Sequence, residues 1–217
     1  MTSSHLQQLV AVMDRLRSPG GCPWDAEQTH ESLIKYLLEE SYEFIEAVET
    51  GDREAMREEL GDVLLQVYFH ARMAQEHPTD PFSIEDVAQT VAEKLVRRHP
   101  HVFGEVEDLS SDQVLENWEA IKAAEKGRTS AVDGVPLAQP ALPLVSKLLY
   151  RAEKNRLMLD LPSVIAEPSE ATEAAVGDVL LATIAWASAN SIDPEGALRL
   201  AARRLIAQIE ELESTVG

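Results

Sequence analysis

The segment LIKYLLEESYEFIEA, residues 33–47, predicts a helix that carries carboxylates on its apolar face. An α-helix turns by about 100° per residue, so side chains three or four positions apart share a face. Glu40 and Glu43 fall on the face whose other members are Leu33, Tyr36, Leu37, Phe44 and Ala47. The opposite face holds Glu31, Lys35, Glu39, Glu46 and Glu49. We therefore expect Glu40 and Glu43 to point into the core.

The motif Glu59-Leu60-Gly61-Asp62 repeats this arrangement in the next predicted helix. Glu59 and Asp62 are three positions apart and lie away from the charged sector formed by Glu54, Arg57, Glu58 and Arg72. An unpaired buried carboxylate costs several kcal/mol, so four converging ones need a cation. Oxygen-only ligands suit Mg²⁺ or Mn²⁺. Gly61 costs about 1 kcal/mol of helix stability relative to Ala, which predicts a close approach by another helix.

Two other interpretations of the acidic motifs compete with a metal site. A run of charges usually forms a solvated face, and the helical wheel disfavours this for Glu40 and Glu43 but not for Glu39. A helical bundle with inward carboxylates also describes di-iron proteins, which need Glu-x-x-His motifs on two helices. Only Glu27 and His30 have that spacing, without a second copy. The di-iron interpretation is therefore disfavoured.

Composition limits the class of protein. The 217 residues include 38 acidic and 19 basic side chains, for a net charge of −19, and 45% are hydrophobic. The chain can therefore build a core, and it lacks the basic footprint of non-specific nucleic-acid binding. Cys22 is the only cysteine, so no internal disulfide forms. The longest apolar run, 179–189, is too short to span a bilayer, and the N-terminus has no apolar signal core. We expect a soluble, cytoplasmic protein without a membrane or nucleic-acid partner.

Helical periodicity dominates the whole chain, so the predicted fold class is all-α. Thr29, Asp52 and Ser83 have the side chains of N-caps, and Gly51 fits a helix C-terminus. Residues 20–24 read as a turn. The predicted helices span residues 6–16, 30–49, 53–76, 84–98, 111–126, 144–157, 170–189 and 194–213.

An internal repeat organises the chain. Residues 59–65 match residues 175–181 in their Gly-Asp-Val-Leu-Leu core, at an offset of 116 residues. Glu58 and Glu59 correspond to Ala174 and Ala175, so the second copy has lost its acidic chemistry. We predict a catalytic domain at 1–127, a proline-containing linker at 128–143 and a degenerate helical domain at 144–217.

A basic cluster stands out in this acidic chain. Lys94 and Arg98 share a helix face, with Arg97 adjacent. They could bind phosphates or neutralise the negative end of their own helix. Trp118 and Trp24 could each stack on a base or pack in a core.

Five motifs in order resemble the MazG family of nucleoside triphosphate pyrophosphohydrolases, which are all-α proteins. The resemblance is strong over about residues 5–126 and weak over 140–213. It rests on Gly21-Cys22-Pro23-Trp24-Asp25, on Leu38-Glu39-Glu40-Ser41-Tyr42-Glu43, on residues 59–67, on residues 94–103 and on Asn117-Trp118-Glu119-Ala120-Ile121-Lys122.

The resemblance implies Mg²⁺-dependent hydrolysis of a nucleoside triphosphate to the monophosphate and pyrophosphate, with Mn²⁺ as an alternative ion. It maps the metal ligands to Glu40, Glu43, Glu59 and Asp62. Glu39 or Glu43 would orient the attacking water. Phosphate contacts would come from Lys94, Arg97 and Arg98, and the base contact from Trp118. The same mapping places Tyr36, Arg57 and Glu58 near the pocket.

The resemblance also implies a homodimer that acts in nucleotide-pool house-cleaning. The alternative is a non-catalytic nucleotide sensor or scaffold derived from such an enzyme, because the second half shows that loss of the site residues is tolerated.

Overall fold

The fold is all-α, as predicted. The computed structural model describes residues 4–104, 109–127, 130–159 and 172–204, and every regular element in those ranges is a helix. The chain divides into two compact units, Met1–Trp118 and Glu119–Gly217. The predicted division into 1–127, 128–143 and 144–217 stays a prediction.

The first unit is built around one long helical hairpin. Helices α3 (His30–Thr50) and α4 (Arg53–Ala74) form the hairpin, and α1 (His5–Arg17) and α5 (Ile84–Arg98) pack against α4. Two short helices, α2 (Pro23–Glu27) and α6 (Pro100–Phe103), follow α1 and α5, and α7 (Ser111–Glu125) contains the boundary between the units.

The core of this unit lies where α1, α3 and α4 meet. It consists of Met13, Leu33, Tyr68, Phe69 and Met73. Met13 and Leu33 are each 1% exposed, and full burial of such a side chain contributes roughly 1.5–3 kcal/mol. His30 and His70 also join α3 to α4, because their Nδ1 atoms lie 2.7 Å apart and one imidazole donates a hydrogen bond to the other.

The predicted helix starts are confirmed by their hydrogen bonds. The side chains of Thr29 and Ser83 accept hydrogen bonds from the amides of the third helical residue. Asp52 accepts from two amides of α4. Gly51 has φ +73°, the left-handed conformation that ends α3.

Several predicted boundaries were wrong. Residues 23–27 form α2 rather than continuing the turn, because Pro23 occupies the first helical position, where a missing N–H costs nothing. The helix α4 ends at Ala74, two residues earlier than predicted. The helix predicted at 144–157 is Ala141–Lys154, since Pro143 fits within a first turn.

The second unit contains α8 (Ala141–Lys154) packed against α9 (Glu173–Ala189). Thr172 caps α9, which begins at Glu173, three residues after the predicted start. A helix α10 follows at Pro194–Arg204, and the rest of its predicted span lies outside the described residues. Residues 175–181, the predicted copy of residues 59–65, lie on α9 as 59–65 lie on α4.

No single helix in the described ranges has the length and apolar character to cross a membrane. The pair Glu173–Ala189 and Pro194–Arg204 passes that test only when its two helices, bent by 110°, are taken together.

Candidate metal and nucleotide site

The α3–α4 hairpin places the two acidic motifs side by side. Gly51 ends α3 and Asp52 starts α4, so the chain reverses within two residues. The second half of α3 therefore packs against the first half of α4. Glu40 and Glu43 on α3 then meet Glu59 on α4.

Three carboxylates converge at this place. One oxygen each from Glu40, Glu43 and Glu59 lies within 4.8 Å of the other two. The Oε2 atom of Glu59 is buried and has no hydrogen-bond partner. A buried, unpaired carboxylate oxygen is costly unless a cation or a donor reaches it. Asp62 lies outside the converging set, although its charge acts on both Glu40 and Glu59.

The electrostatics of the cluster are those of crowded negative charges. Burial raises the pKa of Glu40, and the charges of Asp62, Glu43 and Glu39 raise it further. Burial also raises the pKa of Glu59, followed by the charges of Glu43 and Asp62. Neighbouring negative charges disfavour the ionisation of each carboxyl group, and a bound divalent cation would relieve this repulsion.

The prediction that Glu40 and Glu43 point into the core was wrong. Glu43 is exposed, whereas Glu40, Glu59 and Asp62 are half-buried. The physical reason is that α1 and α5 pack on α4, so within the described residues one side of the hairpin stays uncovered. Helical periodicity predicts which side chains share a face, but not whether another element covers that face.

The expected close approach to Gly61 was also wrong within the described part of this chain. A Cβ atom at Gly61 would meet no atom within 4 Å. The same holds for Gly177, its counterpart on α9.

The basic residues form a second cluster, at the C-terminal end of α5. The Arg98 guanidinium lies over the Trp118 ring, 5.3 Å from its centroid, and Arg98 is buried. The His99 ring packs edge-on against Trp118, with the two ring centroids 4.8 Å apart. The Nδ1 atom of His99 lies 2.7 Å from the carbonyl oxygen of Leu95. Lys94 is half-buried one turn earlier, and Arg97 is exposed.

The remaining predicted residues lie around the hairpin. Tyr36 is one turn before Glu40 on α3, and Glu39 is exposed beside Glu40. The side chain of Arg57 is 83% exposed, and its Nη2 lies 4.0 Å from Oε1 of Glu54. Glu58 adds its charge to those that raise the pKa of Glu59.

Two residues of the neighbouring α1–α2 region, Trp24 and Arg17, lie outside the set of site residues that the resemblance implies. Trp24 projects from α2 against Tyr36, and Arg17 donates hydrogen bonds to the carbonyls of Asp25 and Gln28 at the C-terminal end of α2. For Trp24 the sequence leaves base stacking and core packing open, and it predicts a turn at residues 20–24 rather than the start of a helix. Nothing in the sequence singles out Arg17, since its carboxylate partner Glu76 lies 59 residues away.

Comparisons with known proteins identify the family of this chain. Residues 28–103 match the family described as the MazG nucleotide pyrophosphohydrolase domain. A protein of Streptomyces cacaoi, described as an uncharacterized 26.1 kDa protein, is 48% identical over 203 residues, which cover 93% of this chain and 80% of that protein.

A second relative carries a functional name. The Thermotoga maritima protein named nucleoside triphosphate pyrophosphohydrolase/pyrophosphatase MazG is 40% identical over 225 residues, which cover 97% of this chain and 86% of that protein. The crystal structure of a MazG-related protein from Thermotoga maritima aligns with a TM-score of 0.45 and 31% identity, over 54% of this chain and 97% of that one. The identity with the first of these two, over nearly the whole length of both proteins, shows that this chain belongs to the MazG nucleotide pyrophosphohydrolase family and is a hydrolase.

Proposed function

We propose that this protein hydrolyses nucleoside triphosphates, as NTPs or dNTPs, to nucleoside monophosphate and pyrophosphate in the presence of Mg²⁺. The observation that carries the proposal is the convergence of Glu40, Glu43 and Glu59, with one Glu59 oxygen buried and unpartnered. The family match and the relatives' printed name support the reaction class.

The donor set fits a hard divalent cation. The converging atoms are all carboxylate oxygens, which Mg²⁺ and Mn²⁺ prefer. Glu40, Glu43 and Glu59 would hold the ion, with Asp62 one turn after Glu59 as the fourth ligand. When bound, the ion neutralises phosphate charge and lowers the pKa of a coordinated water.

The remaining steps fall to the side chains of this chain. Glu39, which is exposed and lies outside the converging set, or Glu43 orients the attacking water toward the α-phosphorus. Lys94 and Arg98 stabilise the charge of the departing pyrophosphate, with Arg97 nearby. Trp118 contacts the base. Tyr36, Arg57 and Glu58 border the nucleotide.

We also propose that the protein is a homodimer. On α3 the exposed apolar side chains Ile34, Leu38 and Tyr42 are spaced by four residues, so they form one stripe. Leu60 and Val67 form a second stripe on α4. Exposed apolar stripes on both helices of the hairpin fit packing against the hairpin of a second copy in a four-helix arrangement.

The second half, the location and the biological role stay predictions from the sequence. Glu59 corresponds to Ala175 there, so we place activity in the first unit and a structural role in the second. A cytoplasmic location, the lack of nucleic-acid and membrane partners, and house-cleaning of the nucleotide pool are likewise expectations.

The test is a panel of NTPs and dNTPs incubated with the full chain in Mg²⁺, in Mn²⁺ and in EDTA, with pyrophosphate and nucleoside monophosphate measured. We expect both products in equal amounts with either ion, and neither product in EDTA. Nucleoside diphosphate and orthophosphate as products would refute the proposal. Metal-dependent nucleotide binding without any turnover would favour the sensor or scaffold alternative.

A further inference from the structure

Trp24 is a large aromatic side chain that packs against two other rings and is still 49% exposed. Its ring centroid lies 5.9 Å from that of Tyr36 at an interplanar angle of 72°, and 6.5 Å from that of Phe69 at 84°. Both contacts are edge-to-face, so Tyr36 and Phe69 fix the orientation of the indole while half of the residue stays open to solvent.

The turn before Trp24 is tightly built. Gly20 has φ +79°, a conformation that favours glycine, and a Cβ atom on Gly21 would clash with the carbonyls of Arg15 and Leu16. The amide of Cys22 donates to the carbonyl of Leu16 at 2.7 Å. The chain therefore reverses directly after α1 and starts α2 in a defined direction.

Arg17 links α2 to the segment that follows α4 through hydrogen bonds to both. Its side chain is 10% exposed, and its Nη1 donates to the carbonyl of Asp25 at 2.6 Å and to that of Gln28 at 3.1 Å. Its Nε and Nη2 donate to the two carboxylate oxygens of Glu76 at 2.8 and 2.9 Å. A helix of five residues is not stable alone. The position of Trp24 therefore depends on this arginine.

Tyr36 links the position of Trp24 to that of the carboxylates on α3. Tyr36, against which Trp24 packs, precedes Glu40 by one helical turn, and residues four apart share a helix face. The half-exposed indole thus packs on the side chain that lies one helical turn before Glu40 on the same face of α3.

We propose that Trp24 is a base-stacking platform of the nucleotide site and that Arg17 is its positioning residue. This inference rests on the proposed function and adds a base contact to Trp118. The two tryptophans differ in their neighbours, because Arg98 and His99 pack on the Trp118 ring, whereas Trp24 makes edge-to-face contacts with two aromatic rings and is 49% exposed. Stacking accepts any base, and the larger purine ring covers more of the indole.

The kinetic test compares Trp24→Leu with Trp24→Phe in the full chain. We measure kcat and KM for ATP, GTP, CTP and UTP, and the inhibition constant of inorganic triphosphate, which has the phosphates but no base. Loss of one stacked base predicts a rise in KM on the order of tenfold for Trp24→Leu, larger for purines than for pyrimidines. Trp24→Phe keeps most of the affinity. Neither variant changes inhibition by inorganic triphosphate.

Two further variants separate stacking from folding. Trp186→Leu removes an exposed tryptophan from α9 in the second unit and leaves every constant unchanged. Arg17→Gln raises KM for the nucleotides but leaves inhibition by inorganic triphosphate unchanged. A merely structural role of Arg17 would weaken both to the same degree, and that result would overturn its assignment.

A measurement on the unmutated chain covers the case in which Trp24→Leu does not fold. Fluorotryptophan labels all three indoles for fluorine NMR, and single Trp→Phe variants assign the signals. A nucleotide analogue with an imido bridge between the α- and β-phosphorus shifts the Trp24 signal, and inorganic triphosphate does not.

The outcomes distinguish this inference from the proposed function. Wild-type protein that releases no pyrophosphate from any nucleotide contradicts the proposed function itself. Active wild-type protein, with the same KM in Trp24→Leu and an unmoved Trp24 signal, overturns only the assignment of Trp24.

Discussion

Glu59 is the side chain on which the acidic site depends most. Its Oε2 atom is buried without a hydrogen-bond partner, while oxygens of Glu40 and Glu43 approach it from the facing helix. Leaving a charged oxygen in that state is unfavourable, and neighbouring negative charge adds to the cost. A bound cation would satisfy the oxygen and neutralise the repulsion together.

Replacing Glu59 by Gln should therefore abolish metal-dependent turnover. We expect pyrophosphate release to fall on the order of a hundredfold or more, because the isosteric amide keeps the packing but removes a charged ligand. The matched control is Glu54→Gln on the same helix, where the side chain is 85% exposed. Initial rates at saturating Mg²⁺ measure both. Equal activity in Glu59→Gln and Glu54→Gln would contradict the assignment.

At the residue scale, the sequence predicts the members of the acidic cluster but not their environment. Glu40, Glu43 and Glu59 come together because helical periodicity and the short Gly51-Asp52 reversal leave little choice of register. The exposure of Glu43 was not predictable, because it depends on what covers the hairpin. Arg17 was not predictable either, because its partner Glu76 lies 59 residues away.

The helix ends decide much of the fold at the element scale. Thr29, Asp52 and Ser83 satisfy helix amides with their side chains, and Gly51 adopts the left-handed conformation at the end of α3. These signals are local, so the helices of the first unit could be predicted from the sequence. The five-residue helix α2 could not, because it owes its stability to tertiary hydrogen bonds from Arg17 rather than to its own sequence.

Gly61 and Gly177 offer a matched pair within α4 and α9. An added Cβ meets no atom within 4 Å at either position, and Ala is favoured over Gly in a helix by about 1 kcal/mol. We expect Gly61→Ala and Gly177→Ala each to stabilise the protein by roughly that amount in urea denaturation. Destabilisation by Gly61→Ala alone would contradict this prediction and would indicate that another chain approaches α4 there.

The ion pairs of Glu76, which follows α4, with Arg17 on α1 and Arg72 on α4 should make the stability of the fold depend on pH. The hydrogen bond from Arg17 lowers the pKa of Glu76 below its ordinary value of 4.5, and the charges of Arg17 and Arg72 lower it further. A lowered pKa in the folded state means that the unfolded chain binds the proton first as the pH falls. The contribution of Glu76 is therefore complete above pH 4.5 and is lost as the pH falls through the lowered value.

Thermal denaturation of Glu76→Gln tests this sign. We expect the variant to melt at a lower temperature than wild type near neutral pH, with the difference shrinking in acid. Glu54→Gln, at an exposed position of α4, serves as the control with little difference at either pH. A difference that grows in acid would refute the prediction.

At the scale of the whole molecule, the chain consists of two compact units with unequal chemistry. The first unit carries the carboxylate cluster and the Arg98–Trp118 contact. The second unit shares the Gly-Asp-Val-Leu-Leu segment but has Ala175 at the position of Glu59. The all-α class and this asymmetry are readable from periodicity and residue identity. The oligomeric state cannot be predicted in the same way, because it depends on how the exposed surfaces of two chains pack together.

The exposed stripes on α3 and α4 predict a homodimer of twice the chain mass of 24.0 kDa. Light scattering after size exclusion at micromolar concentration measures that mass. Leu38→Glu places a charge in the α3 stripe and should shift the protein toward the monomer, whereas Leu198→Glu, on the exposed surface of α10, should not. A wild-type protein that stays at 24.0 kDa would contradict the dimer.

The position of bond cleavage tests the central claim most directly. The full chain hydrolyses a nucleoside triphosphate with Mg²⁺ in heavy-oxygen water, and mass spectrometry locates the label in the products. Attack at the α-phosphorus predicts the heavy oxygen in the nucleoside monophosphate and none in the pyrophosphate. Label in pyrophosphate or orthophosphate, or turnover that persists in EDTA, would contradict a metal-dependent pyrophosphohydrolase built on Glu40, Glu43 and Glu59.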